Sequence, residues 1–169
     1  MKIINLDVHN HTMVTQVAEM LVAGFAEHWP DAWPELDDAL EEIKAMAQPE
    51  RISRVAVDAD GTALGWIGGI PEYDGNVWEL HPLVVRPDMQ GKGIGRALVQ
   101  DLEAQVAARG GLTLQLGTDD EDGMTSLANV DLYPNVAEKI MNIRNLRRHP
   151  YEFYQKLGFV ITGVVPDAN

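Results

Sequence analysis

Residues 83–99 read LVVRPDMQGKGIGRALV, and this stretch decides how the chain folds. An apolar run that ends at Arg86-Pro87 predicts a strand, and the apolar spacing from Ile94 onward predicts a helix. Glycine stands at 91, 93 and 95, where it permits tight turns and lets a ligand approach the backbone. The first amides of a helix lack intrahelical acceptors and carry the positive end of the helix dipole. The loop therefore predicts an anion site suited to a diphosphate.

The glycine pattern differs from two common phosphate-binding motifs. No Gly-Lys-Ser/Thr is present, so the loop is not a P-loop. Its third glycine falls one residue too early for the dinucleotide fingerprint. A plain strand-to-helix turn is the simpler alternative. The positive side chains of Lys92 and Arg96, in a chain of net charge −13, favour an anion site over that alternative.

The rest of the chain predicts one α+β domain over residues 1–169, with a mixed central sheet and helices on both faces. Strands are predicted over residues 2–7, 54–58, 63–70, 77–85, 112–116 and 159–165. Helices are predicted over residues 14–25, 34–46, 94–106, 136–144 and 151–157. The second helix carries four carboxylates opposite its apolar stripe: Asp37, Asp38, Glu41 and Glu42.

Composition excludes several kinds of chemistry. Cysteine is absent, and neither Ser53 nor Ser126 lies in a nucleophile elbow, so thiol and serine hydrolases are excluded. No His-Glu-x-x-His motif exists, and His9-x-His11 fits a polar loop, so no metal is expected. The net charge of −13 argues against nucleic acid and anionic membranes as partners and favours a cationic small molecule. Without a membrane span or signal peptide, we expect a cytoplasmic protein.

The glycine loop and a C-terminal stretch together resemble a known family. Gln-x-x-Gly-x-Gly at 90–95 looks like the acetyl-CoA signature of the GCN5-related N-acetyltransferases, and residues 151–159 resemble their C-terminal helix and strand. Three more stretches are similar to the aminoglycoside 6'-N-acetyltransferases of the chromosomal enterococcal kind. They are WELHPLVV at 78–85, LGTDD at 116–120 and HPYEFY at 149–154. The resemblance covers nearly the whole chain.

This resemblance implies the acyl-CoA N-acyltransferase fold, with a sheet splayed to admit pantetheine, and a homodimer. It implies direct transfer, in a ternary complex, from the co-substrate acetyl-CoA to the 6'-amine of aminoglycoside antibiotics, and hence antibiotic resistance. No metal takes part. Arg86 is expected to meet the phosphates. The implied cofactor-binding residues are Leu83, Val84, Val85, Gln90, Gly91, Lys92, Gly93, Ile94, Gly95, Arg96 and Tyr154.

Amide formation needs a neutral amine, a polarised thioester carbonyl and a proton for the leaving thiolate. Glu79 is the candidate base, or else a carboxylate that only binds the ammonium. Pro82 cannot donate to a sheet ladder, so we expect it at a bulge or an opened edge. That placement would free the Leu83 amide, which the resemblance implies is the oxyanion donor. His81 shares a strand face with Glu79 and is a candidate proton relay, cofactor contact or ordinary hydrogen-bonded histidine.

Tyr154 matches the family tyrosine that protonates the sulfur of CoA, with core packing as the alternative. For the substrate, an aminoglycoside needs carboxylates for its ammonium groups and aromatic platforms for its sugar faces. Asp119 to Asp122 form an acidic run that either contacts substrate or is solvated surface. Trp29 and Trp33 stand in an aromatic, acidic loop that we expect to be exposed. The predicted substrate contacts are Trp29, Tyr73, Glu79, Asp119 and Asp122.

The sequence leaves three questions open: the identity of the acetyl acceptor, whether the protein is catalytic, and whether a further strand is present. The acetyl acceptor is an aminoglycoside, a polyamine or a protein N-terminus, because an acidic pocket suits all of them. A non-catalytic sensor of CoA is a rival of a different class. The similar enzymes also continue past the position of Asn169 into a further strand, so either that strand lies beyond this sequence or the domain lacks it.

Overall fold

The computed structural model describes residues 1–166, so residues 167–169 of the predicted domain lie outside the described residues. The chain falls into two units, Met1–Leu116 and a second that begins at Gly117. The first unit contains β1 (Lys2–Asn5), α1 (His11–Phe25), α2 (Leu36–Ala45), β2 (Ile52–Val57), β3 (Ala63–Glu72), β4 (Val77–Val85), α3 (Ile94–Ala108) and β5 (Thr113–Gln115). The second contains α4 (Val136–Met141) and α5 (Tyr151–Gln155).

The first unit is built on a five-stranded sheet in the order β1-β2-β3-β4-β5. The first three strand pairs are antiparallel, and β4 pairs with β5 in parallel. The parallel pairing is short, from Val77 opposite Thr113 to Glu79 opposite Gln115. The mixed sheet predicted from the sequence is therefore confirmed.

Helices cover both faces of this sheet, as predicted. On one face, Trp66 of β3 is fully buried in a core with Val17 of α1 and Ala39 of α2. On the other face, Gly65 of β3 lies directly against Leu98 of α3. Strand residues alternate between faces, so the one-residue step from 65 to 66 separates the two helical layers. An α+β fold follows from this alternation.

A partly buried ion pair connects α3 to the sheet. Arg54 of β2 donates two hydrogen bonds to the Asp101 carboxylate of α3, at 2.7 and 3.1 Å. Both side chains are mostly shielded from solvent, and the paired geometry restricts how α3 can slide along the strands. This matters for function because α3 begins at the glycine loop.

A β-bulge interrupts the pairing of β3 with β4. Ile67 lies opposite Leu83 and Gly69 lies opposite Leu80, so Gly68 alone faces both His81 and Pro82. The predicted placement of Pro82 at a bulge is confirmed. A Cβ added to Gly68 would clash with the carbonyl oxygen of His81 and with Cε of Met46. Only glycine fits here.

The predicted strand over residues 159–165 is wrong, because the described part of the chain has no strand after α5. The segment is rich in apolar residues, but Val160 and Val165 are each more than three-quarters exposed. A strand needs a neighbour for its peptide groups, and none of the described residues pairs with this segment. A run of apolar residues favours an extended chain but does not show whether a partner strand is available.

No helix among residues 1–166 combines the length and the apolar character that a membrane span needs.

We predict that Gly68→Ala destabilises the protein by about 1–3 kcal/mol, the usual cost of overpacking a tight site. The reason is that the new methyl group must displace the backbone of β4 at the bulge. The midpoint of urea unfolding, followed by circular dichroism, measures the loss. Gly117→Ala is the control, because a Cβ at that position meets nothing within 4 Å. Equal stability of the two variants would contradict the close approach at Gly68.

Candidate active site

The ladder of β4 determines which backbone groups face a ligand. The amide of Arg86 donates to the carbonyl of Leu64 at 3.0 Å, so Arg86 points towards β3. Peptide groups along an antiparallel strand alternate in direction. The backbone amides of Leu83 and Val85 therefore point away from β3. The paired part of β5 ends opposite Glu79, before these residues are reached. Two amides of β4 thus lie beyond the paired part of β5 and face away from β3, as a splayed sheet would require.

Val84, also predicted to bind cofactor, is turned the other way. Its peptide groups face Trp66 of β3, and its side chain is only 4% exposed, within the core next to Gly24 of α1. The carbonyl of Val85 instead accepts a hydrogen bond from the Gln90 side chain at 3.3 Å. Gln90 therefore connects the outward edge of β4 to the glycine loop.

Two glycines of the loop have a left-handed backbone. After a 3₁₀ turn over Pro87–Met89, Gly91 has a φ of +74° and Gly93 a φ of +84°. A Cβ at either position meets nothing within 4 Å, so the glycines leave open space rather than filling a tight contact. This backbone presents main-chain groups to whatever occupies that space.

The start of α3 supplies donors to the same loop. Gly93 is the N-cap and has no side chain to cap the helix, and its carbonyl accepts from the Ala97 amide at 3.0 Å. The amides of the three residues before Ala97 have no acceptor within the helix. Ile94 buries its side chain, while Gly95 and Arg96 are progressively more exposed. Backbone donors and the helix dipole at this position suit an anion.

Cationic side chains around the loop also shape it. Arg86 donates two hydrogen bonds to the Asp88 carboxylate, at 2.7 and 3.2 Å, and they hold the pKa of Asp88 below its usual value. Lys92 donates to the Asp88 carbonyl at 3.1 Å. Arg96 is exposed on the first turn of α3. Two of the three cations expected to meet phosphates therefore also hold the 3₁₀ turn in place.

On the other side of the bulge, β4 carries an acidic face. Glu79 and His81 are two residues apart and lie on the same side of the strand, and both are half-exposed. An oxygen of Glu42, from α2, lies 3.6 Å from Nε2 of His81. The ring of Trp33 lies 5.9 Å from the His81 ring. We call this set, Glu42, Glu79, His81 and Trp33, the acidic face.

Two further polar residues extend the acidic face across the sheet. Gln115 of β5 lies beside Glu79 in the register, and its side-chain amide donates to the Glu72 carboxylate of β3 at 2.6 Å. Side chains adjacent in register lie on one face of a sheet. One surface of the first unit therefore carries three carboxylates, those of Glu42, Glu72 and Glu79. Such a surface suits a polycationic ligand.

The predicted aromatic contacts differ in exposure. Tyr73 is 75% exposed in a 3₁₀ turn over Tyr73–Gly75, where its φ is +46°. Trp29 and Trp33 were expected in an exposed loop, but both are half-buried. Their rings lie 5.7 and 4.7 Å from the ring of Phe25, at the end of α1. The apolar end of α1 draws these tryptophans inward, so each presents only part of its ring to a ligand.

The acidic run of the second unit is partly structural. Asp120 accepts hydrogen bonds from the amides of Met124, at 2.6 Å, and Thr125, at 2.8 Å. Burial raises the pKa of Asp120, but a hydrogen bond from the Thr125 side chain and the two amide bonds together outweigh burial and hold the pKa below its usual value. Asp122 lies 3.8 Å from Arg147, and Asp119 is exposed. Asp120 therefore helps to fold the loop that carries the other acidic residues of the run.

His149 connects this loop to α5. Its ring is buried, its Nδ1 accepts from the amide of Tyr151 at 3.3 Å, and its Nε2 donates to the carbonyl of Asp119 at 3.1 Å. Burial is the main reason why the pKa of His149 lies below its usual value, which keeps the ring neutral. Further along, the Tyr154 ring packs between Phe153 and Phe159, at 5.0 and 5.7 Å. Burial raises the pKa of Tyr154 well above its usual value, so its phenol keeps its proton.

Three polar residues of the acidic face were not predicted from the sequence: Glu42, Glu72 and Gln115. The sequence places Glu42 with the carboxylates opposite the apolar stripe of α2. It lies three residues after the buried Ala39 and beside the buried Ile43, so it borders the stripe. That spacing is the one signal that could have distinguished it from its exposed neighbour Glu41. Among residues 1–166, no group of three or more possible metal-binding side chains occurs.

Comparisons with known proteins agree with this geometry. Residues 14–129 match the model of the acetyltransferase (GNAT) family. A search of curated proteins gave no match. The structure is similar to an aminoglycoside 6'-N-acetyltransferase solved in complex with coenzyme A, with 44% identity, a TM-score of 0.90, and coverage of 100% of this chain and 90% of the other. It is also similar to the aminoglycoside 6'-N-acetyltransferase from Enterococcus faecium, with 45% identity, a TM-score of 0.87 and the same coverage.

A third solved structure, of an aminoglycoside 6'-acetyltransferase type Ii, has 38% identity and a TM-score of 0.73, and the match covers 100% of this chain and 89% of that one. An aminoglycoside 6'-N-acetyltransferase from Acinetobacter baumannii is only 18% identical, with a TM-score of 0.59, and shares the fold alone.

We predict that Asp120→Asn lowers the stability of the protein at neutral pH and that the difference disappears in acid. Because hydrogen bonds depress its folded-state pKa, Asp120 stabilises the fold above its unfolded pKa of about 3.9, and this contribution is lost as pH falls through the folded value. Urea midpoints of both proteins at pH 7 and in steps down to pH 3 measure the gap. Glu121→Gln, an exposed neighbour, should show no gap at any pH. A gap that does not narrow at all between pH 5 and pH 3 would argue against the carboxylate as its source.

Proposed function

The chain belongs to the acetyltransferase (GNAT) family, and we propose that it acetylates the 6'-amine of aminoglycosides with acetyl-CoA as the co-substrate. The observation that carries this proposal is the division of β4 by its bulge. Beyond the bulge, Leu83 and Val85 present outward amides that lead into an anion-binding glycine loop. Before the bulge, Glu79 and His81 lie on the acidic face. One strand thus serves an anionic co-substrate and a cationic acceptor.

The backbone of the first unit fits the co-substrate. The open space at Gly91 and Gly93 and the uncapped start of α3 suit a diphosphate. The outward peptide groups of β4 suit a chain that carries amides of its own. Acetyl-CoA supplies an activated thioester. The Leu83 amide is the proposed donor to the thioester oxygen, a contact that contributes about 3 kcal/mol in well-arranged sites.

The acceptor's own chemistry assigns the remaining roles. Its amine must lose a proton to form the new C–N bond, and the sulfur gains a proton as the C–S bond breaks. Glu79 is placed on the acidic face, where a carboxylate binds an ammonium and can accept its proton. Tyr154 keeps its proton at working pH and is the proposed donor to the thiolate. With no cysteine in the chain, direct transfer is favoured over a thioester enzyme intermediate.

Trp29, Tyr73, Asp119 and Asp122 remain the proposed further contacts with the acceptor. We also propose that the protein works in the cytoplasm, and as a homodimer, which its resemblance to the enterococcal kind implies. An open groove of about 490 Å³ in the second unit, lined by residues that include Met141, Phe159 and Val160, is the proposed contact with a second copy, and the mass in solution tests it.

We predict that neomycin is acetylated and paromomycin is not, because the two differ in carrying an amine or a hydroxyl at the 6' position. Release of the CoA thiol measures turnover, and titration calorimetry with acetyl-CoA measures co-substrate binding separately. Spermidine and a short peptide serve as alternative acceptors. Turnover of spermidine or the peptide alone would reject the aminoglycoside assignment. Binding of acetyl-CoA without transfer to any acceptor would favour a sensor.

We predict that Tyr154→Phe lowers kcat about tenfold and leaves KM for acetyl-CoA within about twofold. A general acid commonly accelerates a reaction by more than tenfold. The effect is smaller here because a thiol with a pKa of about 8.5 leaves comparatively easily without a proton donor. Steady-state kinetics with neomycin measure both constants, and Tyr133→Phe, at an exposed tyrosine, is the control. An unchanged kcat would remove the role assigned to Tyr154.

A further inference from the structure

His81 lies between two carboxylates that come from different elements. Glu42 reaches it from α2, with 3.6 Å between the carboxylate oxygen and Nε2, and Glu79 lies two residues before it on β4. The Glu42 side chain is 20% exposed and that of His81 39%, so neither charge is fully screened by water. The ring of Trp33 lies near the imidazole, tilted against it.

The charges around His81 determine its protonation. The groups that face it are Glu42 of α2, Glu79 of its own strand, and Arg51 from the segment that precedes β2. The Glu42 carboxylate is the main reason why the pKa of His81 is raised, and Glu79 adds to it. Burial and Arg51 act in the opposite direction but do not outweigh the two carboxylates. At slightly acidic pH the imidazolium therefore neutralises part of the acidic face.

We propose that Glu42 is a positioning residue, which holds the His81 imidazolium beside Glu79 so that affinity for a cationic acceptor rises as His81 loses its proton. This inference rests on the proposed function, since it concerns the acceptor side of the same site. It assigns Glu42 a role through His81, without contact with the reacting atoms.

Competition for the same carboxylates explains the coupling. When His81 is charged, the trio of Glu42, His81 and Glu79 carries a net charge of −1, and the imidazolium occupies the position that suits an ammonium. When His81 is neutral, the trio carries −2 and attracts an ammonium more strongly. Acceptor binding and loss of the proton from His81 therefore favour each other, and linkage makes the effect reciprocal.

The first test measures the protonation of His81 directly by NMR of histidine ring signals, which His81→Gln assigns. We expect Glu42→Gln to move the titration of His81 to lower pH and Glu42→Asp to restore part of the shift. Glu41→Gln, one residue away and exposed, should leave the titration unchanged. An unchanged titration in Glu42→Gln would overturn the proposal.

The second measurement uses the unaltered protein, so it does not depend on how a variant folds. Saturating neomycin should move the titration of His81 to lower pH, because the acceptor and the proton compete. A titration that neomycin leaves in place, or moves to higher pH, would overturn the proposal.

The third measurement is the affinity for neomycin by calorimetry between pH 5.5 and 8. In the unaltered protein it should strengthen about two- to fivefold as His81 loses its proton, a range typical of partly exposed ion pairs. His81→Gln should lack this rise, which also corrects for titration of neomycin itself. An equal rise in His81→Gln would contradict the coupling.

The outcomes separate this inference from the proposed function. If neomycin binds with the expected coupling but is never acetylated, the function fails and the role of Glu42 stands. If neomycin is acetylated but Glu42→Gln leaves the His81 titration unchanged, the role of Glu42 fails and the function stands.

Discussion

The β-bulge at Gly68, His81 and Pro82 is the constraint on which the proposed site depends. It inserts one residue into β4, so the face occupied by Glu79 and His81 before the bulge is occupied by Val84 after it. The same insertion determines which amides face β3 and which face the edge left by β5. In a regular strand, residues 79, 81, 83 and 85 would share one face and one direction of their peptide groups. The bulge is what lets Glu79 and His81 lie on the acidic face while the amides of Leu83 and Val85 point away from β3. The absence of a side chain at Gly68 is what permits the insertion.

The bulge also separates opposite charges over a short distance. The glycine loop supplies backbone donors, and its cations Arg86 and Lys92 are bonded to Asp88 or its carbonyl. The acidic face supplies carboxylates from α2, β3 and β4. The net charge of −13 produces an electrostatic field that repels anions. An anion site in this chain must therefore rely on the helix dipole and on fixed peptide groups. Such groups keep their polarity whatever the surrounding charge.

The sequence could predict features that are encoded locally. The glycines at 91 and 93, the bulge at Pro82 and the shared face of Glu79 and His81 each follow from a few neighbouring residues. The sequence could not predict the strand partner that residues 159–165 lack, nor the approach of Glu42 to His81 across 39 positions of the chain. Likewise, Asp120 and Asp122 look alike in a run of acids, and only folded contacts distinguish them. Tertiary neighbours, not composition, assign these roles.

The two halves of the proposed site also differ in what mutation can change. The co-substrate side consists mainly of backbone donors and glycine conformations. Substitutions there are expected to disturb the fold rather than to change which co-substrate binds. The acceptor side consists of side chains on α2, β3 and β4, which can be exchanged without moving the backbone. Glu42 lies on a helix that does not contribute to the glycine loop. We therefore expect preference among cationic acceptors to vary through residues such as Glu42 and Glu72, while the use of acetyl-CoA stays constant.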